Sequence, residues 1–158
     1  MISFFGNSLI FLSIVITITI IYFSFQEVKN LNFIYSNKIR TFVLSQVTLV
    51  LMSFFTLMSA YIVSDFSLIN VYQNSHSSKP LLYKISGVWG NHEGSLLLWI
   101  NILVLFSFIF YVLNYKHQKN FKLYTLIAQN FLVLGFLIFL FVTSNPFSLI
   151  YPTPMDGL

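Results

Sequence analysis

The sequence predicts an all-α, polytopic membrane protein: four transmembrane helices with one long outer loop between the second and third. Two observations carry this. Only 8% of the 158 residues are charged while 57% are hydrophobic, and mean hydropathy is +0.82, whereas a soluble domain carries about 25% charged residues. In addition, four apolar runs, Ser8–Phe25, Thr41–Val63, Ser95–Leu113 and Leu123–Thr143, contain no Asp, Glu, Lys, Arg or His. Each can cross a hydrocarbon layer roughly 30 Å thick at about 1.5 Å per residue. A soluble bundle would repeat a polar stripe with a period of about 3.6 residues, and these runs do not.

The first run reads as a retained helix. No Lys or Arg precedes it, it is long for a secretory signal, and no small-x-small cleavage site follows. In the second run Ser45, Thr48, Ser53, Thr56, Ser59 and Ala60 offer small side chains for close helix packing, as Thr125, Ala128 and Gly135 do in the fourth. Asn101, inside the third run, is expected to find an interhelical hydrogen bond. Lys29, Lys38 and Arg40 in one connection and Lys116, Lys119 and Lys122 in another outnumber Lys79 and Lys84 in the Ser64–Gly94 loop. The positive-inside rule then places the N-terminus and the 64–94 loop on the periplasmic or intermembrane-space side.

Cysteine is absent, which excludes disulfides, thiolate metal sites and a thiol nucleophile. The net charge of +4 is too dispersed for a nucleic-acid surface; the partner implied by composition is the lipid bilayer. Abundant Phe, Tyr, Ile, Asn and Lys suggest an AT-rich genome.

Potential chemistry gathers in the 64–94 loop: Asp65, His76, Lys79, Lys84, Trp89, His92 and Glu93. A zinc-protease helix needs His-Glu-x-x-His, and the second histidine position is Leu96. His76 and His92 sharing a metal is an unspecific reading, so no metal site is assigned. His92 beside the third span, near Trp89 and Trp99, is a weak candidate for an axial haem ligand. The alternative is structural: His92 and Glu93 fix the helix entry, Glu93 favoured by the helix dipole and Ser95 or Gly94 as the N-cap. On the residues alone the structural reading is preferred. Gly87, Gly90 and Gly94 suggest tight turns or close backbone approach. "DFSLINVY" is either a short strand or an interfacial helix, and Lys79-Pro80 marks a turn.

Two segments, "VSDFSLINVYQNSHSSKPLLYKISGVWGNHEGSLLLW" (Val63–Trp99) and "TSNPFSLIYPTPMDGL" (Thr143–Leu158), resemble the N-terminal part of the CcmF family, the haem lyase subunit of cytochrome c maturation. The related lyase of nitrite reductase maturation shares much of this wording. The motif positions are Trp89, Gly90, His92, Glu93, Gly94, Ser95 and Trp99, with Asp65, Asn74, Pro80 and Tyr83 upstream. His76 stands where the family has Asn. The resemblance implies a bacterial inner-membrane or mitochondrial inner-membrane protein that joins haem to a Cys-x-x-Cys-His apocytochrome c. It also implies a haem carrier and other maturation subunits as partners. The family's Trp-rich motif of the type WGGWWFWD and its haem-holding histidines have no counterpart here. The expectation is therefore the first four helices of a larger lyase, inactive alone, with haem b in the assembled protein and none bound by this chain by itself. No catalytic residue is assigned. The competing reading is a hydrophobic subunit of an ion-translocating respiratory complex.

Overall fold

The computed structural model describes residues 1–29, 35–113 and 119–158. Lys116 and His117, part of the predicted basic connection, lie outside the described residues. Four long helices, α1 (Ile2–Lys29), α2 (Ser36–Val63), α5 (His92–Leu113) and α6 (Lys119–Val142), are apolar and long enough to cross a membrane. They form a ring: α1 packs against α2 and α6, and α5 packs against the same two. Two short helices, α3 (Ile69–Asn74) and α4 (Leu81–Gly87), lie between α2 and α5.

The helices exceed the apolar runs at several ends. α1 begins at Ile2 and continues to Lys29, α2 begins at Ser36, α5 at His92 and α6 at Lys119. Charge stops a hydrophobic run but not a backbone ladder, so the end turns of the helices include Glu27, Lys29, Lys38, Arg40, Glu93 and Lys122; at the start of α1 the added residues 2–7 are uncharged. α2 closes at Ser64, which takes left-handed backbone angles (φ 57°, ψ 50°), while the Asp65 N–H donates to Ala60 O at 2.9 Å. This is a Schellman-type stop built without glycine.

Beyond α2 the chain forms a cap with the C-terminal segment. Leu68 and Leu149 make an antiparallel bridge, fixed by Ile69 N–H to Ser148 O (3.0 Å) and Ile150 N–H to Ser67 O (3.0 Å). The Leu158 N–H donates to Tyr72 O at 2.9 Å. "DFSLINVY" thus supplies both a bridge residue and a helix. The cap rests on one end of the bundle, where Phe66, Leu68, Val71, Val88 and Phe147 join Leu57, Tyr61 and Leu97 in a continuous core. A second core cluster, Ile20, Ile39, Val43, Leu123 and Leu126, fills the opposite end, called here the base.

The small-residue expectation holds only in part. Ser53 and Ala60 are buried, but Thr48, Thr56 and Ser59 turn their hydroxyls back onto their own helix. Gly135 and Ala128 are exposed, and a Cβ on Gly135 would touch nothing within 4 Å. The interhelical link is instead Gln46, whose Nε2 donates to Thr17 Oγ1 (2.7 Å) on α1 and Asn130 Oδ1 (2.9 Å) on α6. Among the described residues Asn101 has no interhelical partner; its Nδ2 donates to Leu97 O at 2.9 Å on its own helix.

Candidate functional site

The motif residues meet where α2, α3 and α5 come together under the cap. Tyr61, fully buried on α2, donates its hydroxyl proton to Asn70 Oδ1 at 2.7 Å. Asn91 Nδ2 donates to the Tyr61 hydroxyl at 2.8 Å, and Asn70 Nδ2 donates to Asn91 Oδ1 (2.9 Å) and Glu93 Oε2 (3.0 Å). Asn91 Oδ1 also accepts the Gly94 N–H at 2.8 Å. Asn91 is therefore the N-cap of α5, with its oxygen on an otherwise orphaned backbone donor. This corrects the expectation that Ser95 or Gly94 caps the helix. The Ser95 hydroxyl donates to Trp89 O at 2.6 Å and ties the incoming chain to the first turn. Glu93 sits in that turn, where the helix dipole favours a carboxylate.

Gly94 explains one of the three glycines. A Cβ there would stand 1.6 Å from Val88 O, so no side chain fits. Gly90 has only ordinary neighbours at 3.6 Å or more, and none of the described glycines has positive φ. Of the tight turns or close approaches expected of the three, at Gly87 a Cβ would press on the Tyr61 ring at 3.3 Å, and a close backbone approach is found at Gly94. Gly157 does the same for the tail, where a Cβ would lie 1.7 Å from Ser75 O.

His92 points away from this network. Its Nδ1 is 2.8 Å from the Ser144 hydroxyl just past α6, and its ring meets Phe139 edge-on at 6.4 Å. An open, apolar cavity of about 540 Å³ runs from His92 and Leu96 along Phe131, Gly135, Phe136 and Phe139. A smaller one of about 390 Å³ lies between His92, Ser95 and Trp99. For haem, this arrangement offers one exposed imidazole oriented through its other nitrogen, against an aromatic wall. The described residues provide no second histidine on that face, so a haem would need its other surroundings from elsewhere. The residues fit one side of such a group and do not enclose it.

The remaining motif residues scatter. Asp65 Oδ1 accepts from the Ser67 N–H (3.2 Å) and hydroxyl (2.5 Å), which shapes the turn into α3. Asn74 Nδ2 donates to Asn70 O at 2.9 Å, bracing the network from behind. Pro80 starts α4, where Tyr83 is two-thirds exposed; Lys84 reaches back to the Ser64 hydroxyl at 2.6 Å. Trp89 and Trp99 are both exposed, as interfacial indoles would be. His76 pairs with Asp156 of the tail (3.5 Å) rather than with His92. Among the described residues, no group of three or more His, Asp or Glu is placed to hold a metal.

Asp156 is held well below the usual carboxylate range, at about 2. The main cause is the Ser77 hydroxyl (2.5 Å), followed by the Ser77 N–H (2.9 Å); the Gly157 N–H (2.7 Å) and nearby His76 add to it. Sequence reasoning missed Tyr61, Asn70, Asn91 and Ser144. Asn91 was legible, since it lies inside the motif one residue before the helix. Tyr61 and Asn70 were not, because their partners are 30 and 21 residues away in sequence.

No protein-family model matches the chain. It is 49% identical over 109 residues to the cytochrome c-type biogenesis protein CycK of Rhizobium meliloti, an alignment covering 69% of this chain and 16% of that protein. To the CycK of Bradyrhizobium diazoefficiens it is 46% identical over 118 residues, 75% of this chain and 18% of the relative. Among solved structures, a cytochrome c haem lyase CcmF superposes with a TM-score of 0.85 at 20% identity, over 94% of this chain and 25% of that one. The chain thus spans less than a fifth of the length of these curated relatives. The resemblance read from the loop motifs is upheld by sequence and by fold: this chain belongs to the CcmF family of cytochrome c-type biogenesis proteins and matches its N-terminal part.

Proposed function

We propose that this four-helix unit serves c-type cytochrome maturation as the N-terminal membrane part of a haem lyase. The single observation that carries the reading is the capped junction at α5. There Asn91 and the motif residues Glu93, Gly94 and Ser95 spend their polar groups on one another and on Tyr61, Asn70 and Trp89 O, which fixes backbone shape rather than presenting a reactive group. In this reading the chain is a scaffold, inactive alone, and holds no haem by itself. The remainder of the lyase supplies the haem b environment, and His92 with its aromatic wall faces that remainder.

The assembly receives haem from a carrier and meets an apocytochrome c bearing Cys-x-x-Cys-His, alongside other maturation subunits. It resides in a bacterial inner membrane or a mitochondrial inner membrane, with the cap on the periplasmic or intermembrane-space side. The ion-translocating alternative lacks support. The ionisable residues of the four long helices lie near their ends, and the groups buried in the middle are neutral amides and hydroxyls.

Deleting the chain is expected to abolish c-type cytochromes while b-type cytochromes persist, scored by haem staining and difference spectra. Survival of both types would refute the proposal. Tight stoichiometric haem binding by the isolated chain would refute the scaffold role.

A further inference from the structure

Hydrogen-bond donors and acceptors inside the bundle do not balance. Both Gln46 N–H donors are spent on Thr17 and Asn130. The Thr17 hydroxyl proton goes to Ser13 O (2.7 Å), Asn130 Nδ2 to Leu126 O (2.9 Å) and Asn101 Nδ2 to Leu97 O (2.9 Å). Among the buried atoms left over are Gln46 Oε1 and Asn101 Oδ1. Each is buried, on residues 0% and 4% exposed, and neither has a hydrogen-bond partner among the described residues. Both are amide oxygens, which only accept. Leaving such a group bare in an apolar interior is costly, and lipid surroundings offer no relief.

Counting along the helices brings the two oxygens to neighbouring levels of the bundle. At the cap end Tyr61 of α2 meets Asn91, and at the base the Tyr111 hydroxyl of α5 reaches Ser36 O (3.4 Å). Counting along antiparallel helices from either contact places Gln46 opposite the stretch of α5 between positions 101 and 106. That stretch begins at Asn101. Gln46 already reaches across the ring from α2 to α6, so its amide occupies the bundle centre, which α5 closes on the fourth side. Ser53 and Ser107, buried with unpartnered hydroxyls, add further polar groups on α2 and α5.

Two acceptors cannot satisfy each other; a ligand that donates twice can satisfy both. A cation here would have no carboxylate to balance its charge, since the buried polar groups in the middle of the bundle are neutral. We propose that the bundle core is a specific site for ordered water, which donates to Gln46 Oε1 and Asn101 Oδ1 and links α2 to α5 at mid-membrane depth. Buried waters characteristically make about three hydrogen bonds to groups otherwise left unsatisfied.

The test is radiolytic hydroxyl labelling of the full chain in lipid nanodiscs, read by mass spectrometry. Radicals formed from an internal water oxidise the side chains that flank it. Val50 and Val104, each 1% exposed, are expected to be labelled well above the equally buried Ile39 near the base. In Asn101→Leu that labelling is expected to fall toward the Ile39 level, because the water loses one of its few partners, and unchanged labelling in the folded variant would overturn the proposal. Should Asn101→Leu not fold, the wild-type contrast decides alone. Labelling of Val50 and Val104 no higher than that of Ile39 means a dry core and overturns the proposal.

Discussion

The two ends of the bundle hold themselves together by different chemistry. At the cap end, Tyr61, Asn70, Asn91 and Glu93 form a network whose members come from α2, α3 and the start of α5. At the base, an ion pair does comparable work. Glu27, 1% exposed, binds Lys119 Nζ at 3.0 Å and accepts the Tyr35 N–H at 2.8 Å, joining the end of α1 to the starts of α2 and α6. Around it Phe23 stacks on Phe42 with centroids 5.6 Å apart, and Lys38 lies 5.8 Å from the Phe23 ring. The base tethers helix ends; the cap defines a surface. Amide networks have fixed donor and acceptor directions and so specify shape, whereas an ion pair tolerates rotation.

The steepest test of that contrast is Gly94→Val. Its Cβ would collide with Val88 O, which belongs to backbone and cannot swing aside. Overpacking costs about 1–3 kcal/mol, occasionally more, and this site is expected at or above the upper end. Loss of accumulated protein together with loss of c-type cytochrome would show it. A wild-type level of both would mean the cap junction is not as rigid as described.

Next comes Glu27→Ala. Removing one partner of a buried pair costs about 3–5 kcal/mol when both are fully buried, but the Lys119 side chain is 20% exposed. An expected loss of about 1–3 kcal/mol follows, measured as a lower Tm. Because the cap is built separately, c-type cytochrome formation should track protein level only.

Tyr61→Phe sharpens the comparison from the other side. It leaves Asn70 Oδ1 without its phenol donor and removes an acceptor from Asn91, at about 1–3 kcal/mol for a buried unsatisfied group. Here cytochrome formation per molecule of protein is expected to fall more than in Glu27→Ala. Equal effects in the two variants would erase the functional distinction between the ends.

The smallest effect concerns the tail. Asp156 titrates at about 2 in the folded chain, below its ordinary 3.8. Its contribution is therefore fully present above pH 3.8 and is lost as pH falls through about 2. Hydrogen exchange at the Ser77 amide, which donates to Asp156, should quicken relative to neighbouring amides across that window. Asp156→Asn should flatten the dependence.

How much of this was legible follows from the range of each interaction. The four spans needed only local hydropathy. Gly94 and Asn91 lay inside one short string, although the cap was assigned to Ser95 or Gly94 because the asparagine precedes the first charged residue rather than the first apolar one. The helix ends extended past the apolar runs because hydrogen-bond ladders ignore the charge that ends a hydrophobic segment. Small residues in α2 pointed to close packing, yet the interhelical bond fell to Gln46, whose longer side chain reaches across the ring.

By itself, then, the sequence determined the membrane class, four spans and the family, since each depends on composition or on neighbours a few residues apart. Only the tertiary structure decided that 143–158 bridges Leu68 to complete the cap, that Tyr61 and Asn70 anchor the motif, and that Glu27 meets Lys119. Those contacts join residues tens of positions apart, and nothing in their local wording distinguishes a partnered polar side chain from a solvated one.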